Sequence, residues 1–378
     1  MFSPSLEGVV VGETAVSEVR GEQGQLLYRG TSIEQLTSLP QWQVAALLAC
    51  DVRQSDQVLK QFDAFMQSNA VLHVADLAIL DNLNPTLHPM LMLQAMLPAI
   101  SEKESYDLPL LLLAEGIGHG YALAAKIPAL LCYWRAKQLG QTINPDIYTA
   151  ESSDHGSLSW FLEHFPCAIS SEQAQQILNT TQVLQMEHGY NASTFAGRVC
   201  ASTDAPIQSV LSASVGTLYG RLHGGADQAA LEMAIAIGNA NQAQPFVEDA
   251  LRSKRKIMGM GHREYKTLDP RAAVLKPMAA RLCQYNAKNS ALFETLLAVE
   301  EACQARFSAQ GKSIYANVEY YKGAVFHSLG IPSHFFTALF AMSRVFGYLA
   351  HYEEFRKNPR LIRPRARPAG NLAKRSRR

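Results

Sequence analysis

The sequence has little charge, almost no net charge and no paired cysteines. Charged residues make up 18% of its 378 positions against 48% hydrophobic. That balance excludes an extended disordered chain and supplies enough apolar side chains for a substantial core. Basic and acidic residues nearly cancel, leaving a formal net charge of +1, so no overall field draws the chain to nucleic acid or an acidic membrane. Six cysteines (Cys50, Cys132, Cys167, Cys200, Cys283 and Cys303) are scattered without a CxxC pair. They read as packing thiols in a reducing compartment, not as a disulfide frame or zinc site. No HExxH or HxxxH pair occurs, and no metal is expected. The N-terminus has neither a basic n-region nor a long apolar core, so no secretory signal is expected and the cytoplasm is the expected compartment. The most apolar stretch, 108–134, is broken by Glu115, His119, Lys126 and Pro128. It predicts buried helices of a soluble protein, not a membrane span.

Length alone suggests two or three domains, or one large domain with a smaller appendage. A short β-ribbon is predicted at the start, with 15–19 and 26–28 flanking a turn that contains Gly21 and Gly24. Helical signals dominate beyond it, with no strand–helix alternation of a parallel sheet. In 205–219, Ile207, Val210, Leu211, Val215 and Leu218 recur at helical spacing, while Ser212, Ser214 and Gly216 offer a face for close approach of another helix. Asp269-Pro270 reads as a helix start, with Pro277 predicted to kink or shorten that helix. The basic, proline-containing end, LIRPRARPAGNLAKRSRR, reads as a solvated tail in its last residues.

Some residues ask for a chemical explanation. Segment 333–356 is apolar on nearly every side, yet carries Arg344 among Phe340, Ala341, Gly347 and Tyr348. A buried guanidinium stays charged and demands an anion, either a protein carboxylate or a bound ligand. His188 (EHGYNAST), His223 (LHGGAD) and His262 (MGMGHREYK) stand in small-residue-rich segments. The glycines beside His223 and His262 permit close approach of a ligand to the main chain. Lys254, Arg255, Lys256 and Lys266 flank the turn at 259–261, which suits phosphates or another polyanion, although the GK[ST] ending of a P-loop is missing.

The runs EHGYNASTF (187–195), LHGGADQA (222–229), IMGMGHREYKTLDPRA (257–272), NVEYYKG (317–323) and RLIRP (360–364) resemble, in order and spacing, the signature blocks of the citrate synthase family. The opening 8–30 resembles that family's N-terminal hairpin. The resemblance implies a mainly α-helical fold of a large helical domain (1–222 and 323–378) and a smaller one (223–322), with a short N-terminal β-hairpin. It implies a homodimer that condenses acetyl-CoA with oxaloacetate in the interdomain cleft, without a permanently bound cofactor. By the same resemblance His188, Arg271, Arg344 and Arg363 bind oxaloacetate, Arg363 acting from the partner subunit. His262 polarises the ketone, His223 bonds the thioester oxygen and Glu319 is the base. Met258, Gly259, Gly261, Lys266 and Lys312 contact CoA. These residue types fit the chemistry, because a weakly acidic α-proton needs a carboxylate base and a donor on the carbonyl oxygen.

The chain departs from the family's pattern at Glu319, where aspartate is usual. It also departs at Arg221 and Ala316 (proline), Asp227 (asparagine), Gln94 (arginine) and Pro368 (an aromatic). Two other readings stay open: a 2-methylcitrate synthase using propionyl-CoA, and a non-catalytic paralogue that binds oxaloacetate or CoA. A nucleic-acid-binding module is disfavoured by the near-zero charge and the lack of a groove-reading or stacking motif.

Overall fold

The computed structural model describes every residue except 1, 2, 4, 7, 51–53, 101, 102, 104, 113, 151–153 and 367–378. Pro368 and the basic end of the tail lie outside the described residues. Among the described residues the chain forms seventeen α-helices, two short 3-10 helices and one small sheet, the mainly helical fold expected. No helix among them is long and apolar enough to cross a membrane. Four of the six cysteines are buried, as expected of packing thiols, but Cys167 is exposed and Cys200 only half-buried.

The sheet is the predicted ribbon with an addition. Strand β1 (Ser17–Arg20) pairs antiparallel with β2 (Gln25–Tyr28), and β2 with the two-residue β3 (Thr31–Ser32). Two residues are too few for an alternation signal, so β3 was not foreseen. Tyr28 anchors the ribbon to the molecule. Its hydroxyl donates to the Val183 carbonyl (3.0 Å) and accepts from the Glu187 amide (3.2 Å).

Two long helices form the centre of the core: Ile117–Gln138 and Phe336–Arg356, each buried along nearly its whole length. The second follows a 3-10 turn at Ser333–Phe335 and is the Arg344 helix. Helix Ile207–Leu218 uses its small face as predicted. Gly216 lies against the Gln94 side chain of helix Pro89–Ala99, and Ser214 against Gly197 of helix Ala192–Ala201. Gln94 is thus a packing residue between two helices.

Helices Ala226–Ile237, Pro270–Cys283, Ala287–Ser308 and Val318–Ser328 pack on one another. Asp269 caps the second of these, accepting from the Arg271 amide at 3.0 Å. Pro277 does not shorten that helix, which runs on to Cys283. The missing N–H removes one backbone bond, and burial of Leu275, Met278, Ala279 and Leu282 holds both sides together.

Candidate active site

The site is assembled around a glycine turn. Gly259 (φ 76°) and Gly261 (φ 83°) adopt left-handed backbone. At Gly259 a Cβ would stand 2.7 Å from Tyr320, so only glycine fits. Asn317 stitches this turn to the next element. Its amide donates to the Gly259 carbonyl and its Nδ2 to the Gly261 carbonyl, both at 2.9 Å. Its Oδ1 accepts from the Glu319 amide at 3.0 Å, capping helix Val318–Ser328. The tip of the ribbon braces the far side. A Cβ on Gly21 would fall 2.0 Å from the Glu264 carbonyl oxygen, and the Lys266 amide donates to the Gly21 carbonyl at 3.1 Å.

His262 follows the turn. Its Nδ1 accepts from the amides of Glu264 (3.0 Å) and Tyr265 (3.3 Å), so the ring proton resides on Nε2. That nitrogen lies 3.3 Å from Arg271 Nη2. Two donors therefore face each other, an arrangement that an oxygen acceptor between them would relieve. Arg271 is oriented by Asp269, which accepts from Nε (3.0 Å) and Nη2 (2.8 Å) and also from the Val318 amide (3.1 Å). His188 joins from the large helical core, with Nε2 3.1 Å from the Tyr265 hydroxyl and its ring 5.3 Å from that of His262. Burial, then the Arg271 guanidinium, lower His262 to about 4. Burial, then Arg271, His262 and Arg344, push His188 well below the ordinary histidine value. Both rings are neutral at pH 7.

A second group gathers around Phe340. The Arg344 guanidinium sits 4.6 Å from the Phe340 ring centre and the His223 ring 6.5 Å from it. Arg344 is 1% exposed and its Nε donates to the Gln185 carbonyl at 2.7 Å. Among the described residues it makes no ion pair, and the buried carboxylate that feels its charge, Glu187, is engaged with His351 and Ser17. His223 precedes helix Ala226–Ile237 and contacts Ser193 Oγ through Nε2 at 2.8 Å. Ser193 Oγ also accepts from the Tyr348 hydroxyl at 2.7 Å. The Ser193 hydroxyl also donates to Asn191 Oδ1 at 2.8 Å, an oxygen that accepts from the Ser193 and Thr194 amides as well, both at 3.1 Å. The Ser193 proton is shared between Asn191 Oδ1 and His223 Nε2, and when it turns to the ring His223 keeps its own proton on Nδ1. Burial, then Arg344, lower this ring to about 4, so it too is neutral.

Met258, Gly259 and Gly261 lie at the glycine turn. Beside it is a cavity of about 410 Å³ whose lining includes Gly261, His262, Lys266, Ser313 and Tyr315. Lys266, which lines it, and Lys312, next in sequence to its Ser313 wall, are exposed, and their ammonium groups donate to the Arg263 carbonyl and to Gln310. Arg363 is not brought to the cluster of its own chain. It is exposed beyond the Arg344 helix and bonds the Pro364 carbonyl at 3.0 Å. Arg221 is exposed on the turn before His223. A slightly larger cavity, about 440 Å³, opens elsewhere between Trp42, Met66, His155 and Phe346 and holds none of these residues. Sequence reasoning missed Ser193, Tyr265, Tyr348 and Lys322. Lys322 alone left a trace, as a charge in the apolar run YYKGAVF.

The family description "Citrate synthase, C-terminal domain" matches residues 5–365. A citrate synthase of Acidithiobacillus ferridurans is 32% identical, over 96% of this chain and 94% of its own length. A 2-methylcitrate synthase of Shewanella oneidensis is 31% identical, over 96% of this chain and 93% of its own. Among solved structures, the citrate synthase of Thermoplasma acidophilum in ternary complex with carboxymethyl coenzyme A and oxaloacetate superposes with a TM-score of 0.88. It is 27% identical and covers 98% of this chain and 96% of that one. On sequence and fold, the chain belongs to the citrate synthase family of acyl-transferring enzymes.

Proposed function

We propose that the chain condenses acetyl-CoA with oxaloacetate and water to give citrate and CoA. The observation that carries this reading is the buried Arg344, a permanent cation with no ion pair among the described residues, on the same wall as neutral His223 and near the facing donors of His262 and Arg271. A small dicarboxylate with a ketone supplies what these groups need. Its carboxylates meet Arg271 and Arg344 in charge-assisted bonds, with His188 beside them. Its ketone oxygen accepts from His262 Nε2–H, in the gap between His262 and Arg271.

His223 Nδ1–H then donates to the thioester oxygen while Glu319 takes a proton from the acyl methyl group. The resulting enol carbon attacks the polarised ketone. The new alkoxide, held by His262 Nε2–H and Arg271, takes up the equivalent of the proton that Glu319 removed. Water then adds to the thioester carbonyl, its hydroxyl staying on the acid and its proton leaving with CoA. The cavity bordered by Lys266 and Lys312 suits the CoA end, with Met258, Gly259 and Gly261 supplying backbone. Arg363 would complete the oxaloacetate site from the second subunit of a homodimer, which agrees with its position outside the cluster of its own chain. The division into a large (1–222, 323–378) and a small (223–322) domain places His223, His262 and Glu319 on the smaller part. Its second boundary falls inside helix Val318–Ser328, so any hinge there bends at that helix's ends. The balanced charge suits a cytoplasmic enzyme of central carbon metabolism.

The test is thiol release from acetyl-CoA and from propionyl-CoA, each with oxaloacetate. A kcat/KM that favours acetyl-CoA supports this reading. A preference for propionyl-CoA would make the chain a 2-methylcitrate synthase, and oxaloacetate binding without turnover would make it a non-catalytic paralogue.

A further inference from the structure

The Glu319 carboxylate has a charged companion that the reaction as written does not use. One turn along the same helix, Lys322 places Nζ 2.5 Å from Glu319 Oε2 and 3.3 Å from Asp227 Oδ2. The Lys322 and Asp227 side chains have no exposure, while Glu319 keeps 14%. The ammonium also lies 4.0 Å from the centre of the Phe340 ring. It sits at ion-pair distance from both carboxylates without the alignment of a hydrogen bond to either.

We propose that Lys322, anchored by Asp227, is the positioning residue that fixes the Glu319 carboxylate and sets its basicity for removal of the acyl α-proton. The proposal rests on the condensation reading above. Each charge stands on a rigid support. Asp227 lies in the first turn of helix Ala226–Ile237, its Oδ1 accepting from the Gln228 amide at 2.8 Å. That helix touches the Glu319 helix backbone to backbone, since a Cβ on Gly323 would stand 2.6 Å from the Asp227 carbonyl oxygen. The Glu319 backbone is pinned by Asn317. Glutamate has three side-chain torsions, so a base of this length needs an external hold to keep one position. Lys322 takes one carboxylate oxygen, Oε2, and leaves Oε1 to accept the proton.

The same three groups set the charge balance. A buried ammonium between two carboxylates offsets their mutual repulsion, and loss of any member unbalances the others. Burial, opposed by Lys322 and reinforced by Glu319, raises Asp227 to about 6. The other charged or titratable groups around Glu319 are His223 before the Asp227 helix, His262 on the glycine turn, Arg271 on helix Pro270–Cys283 and Arg344 on its own helix. Glu300, on helix Ala287–Ser308, is engaged with Tyr321 and Lys276.

The experiment is the pH profile of kcat for the unaltered protein, Lys322→Met, Asp227→Asn and the double variant, with KM for oxaloacetate measured alongside. Lys322→Met leaves buried Asp227 and half-buried Glu319 as neighbouring carboxylates without their cation, which favours protonation of one of them. Its acid limb is expected to move to higher pH, with kcat at pH 7 falling on the order of 10²-fold. Asp227→Asn gives Lys322 to Glu319 alone, so its limb moves to lower pH with a smaller loss. The double variant brings the limb back towards its original position, and KM for oxaloacetate stays near its starting value throughout. Asp227→Asn is isosteric and tests the clamp even if Lys322→Met does not fold. Limbs that stay put in the folded single variants would overturn the clamp alone. No thiol release from the unaltered protein would overturn the condensation reading and the clamp with it.

Discussion

At the scale of single residues, Arg344 separates binding from folding. Its burial is costly, and the Glu187 charge is committed to His351. The close protein contacts of Arg344 are one carbonyl and one aromatic face, which return less than a charge-assisted pair would. Arg344→Leu should therefore weaken oxaloacetate binding by about 10- to 100-fold, the equivalent of a hydrogen bond to a charged group. Thermal stability should change little, because an apolar side chain suits the neighbourhood. Calorimetric titration beside thermal unfolding checks this. Unchanged affinity with a large drop in unfolding temperature would make Arg344 a structural residue. The need for an anion at Arg344 was legible in sequence, because a charge amid apolar helical neighbours has few explanations. The roles of Ser193, Tyr348 and Lys322 were not. A serine after an Asn cap or a lysine one turn beyond a glutamate looks ordinary until tertiary packing brings Asp227 or His223 against it.

At the scale of elements, close helix contacts carry the geometry. Helices Ala226–Ile237 and Val318–Ser328 meet at Gly323, where an added Cβ would collide with the Asp227 carbonyl and crowd Leu231. Neither backbone nor a branched core residue yields easily, so Gly323→Ala should cost about 1–3 kcal/mol, as overpacking does. A lowered urea midpoint with an unchanged slope would bear this out. A midpoint equal to that of the unaltered chain would mean that the helices part without strain. Elements with strong local signals were legible: the Asp269-Pro270 start, the small face of Ile207–Leu218 and the apolar helix around Arg344. The persistence of helix through Pro277 was not, since local breaking power is weighed against packing that periodicity does not measure.

At the scale of the whole molecule, a buried polar chain ties the His188 loop to the Arg344 helix. Glu187 and His351 are both buried, with Glu187 Oε1 2.9 Å from His351 Nε2. Ser17 donates to the same oxygen at 3.0 Å. His351 Nδ1 lies 3.8 Å from Glu354 Oε2, which also faces Arg198. Burial alone would raise Glu187, but the charge and hydrogen bond of His351, with Arg344 and Ser17, hold it below its ordinary 4.5. Burial alone would lower His351, but Glu187 and then Glu354 hold it above 6.5. The Glu187 contribution is thus complete above pH 4.5 and lost as pH falls through its lowered folded value. The His351 contribution is complete below pH 6.5 and lost as pH rises through its raised one. Stability from this pair should be greatest between those limits. In His351→Gln the decline on the alkaline side should flatten in urea unfolding followed against pH. An identical decline in that variant would assign the effect to other groups.

The β-ribbon gives these contacts an order in time. Tyr28 and Ser17 hold the His188 loop, the Gly21 turn rests on the segment after His262, and the Ala15 amide reaches Glu354, 339 residues away. A ribosome makes this ribbon before any of the surfaces it grips. Each grip closes a very long loop, the costliest kind of contact to form early. The ribbon must therefore wait, solvated and unpaired with the rest, until the Arg344 helix has been synthesised. Its docking then draws the His188 and His262 loops together, so the site should be among the last parts of the molecule to take shape.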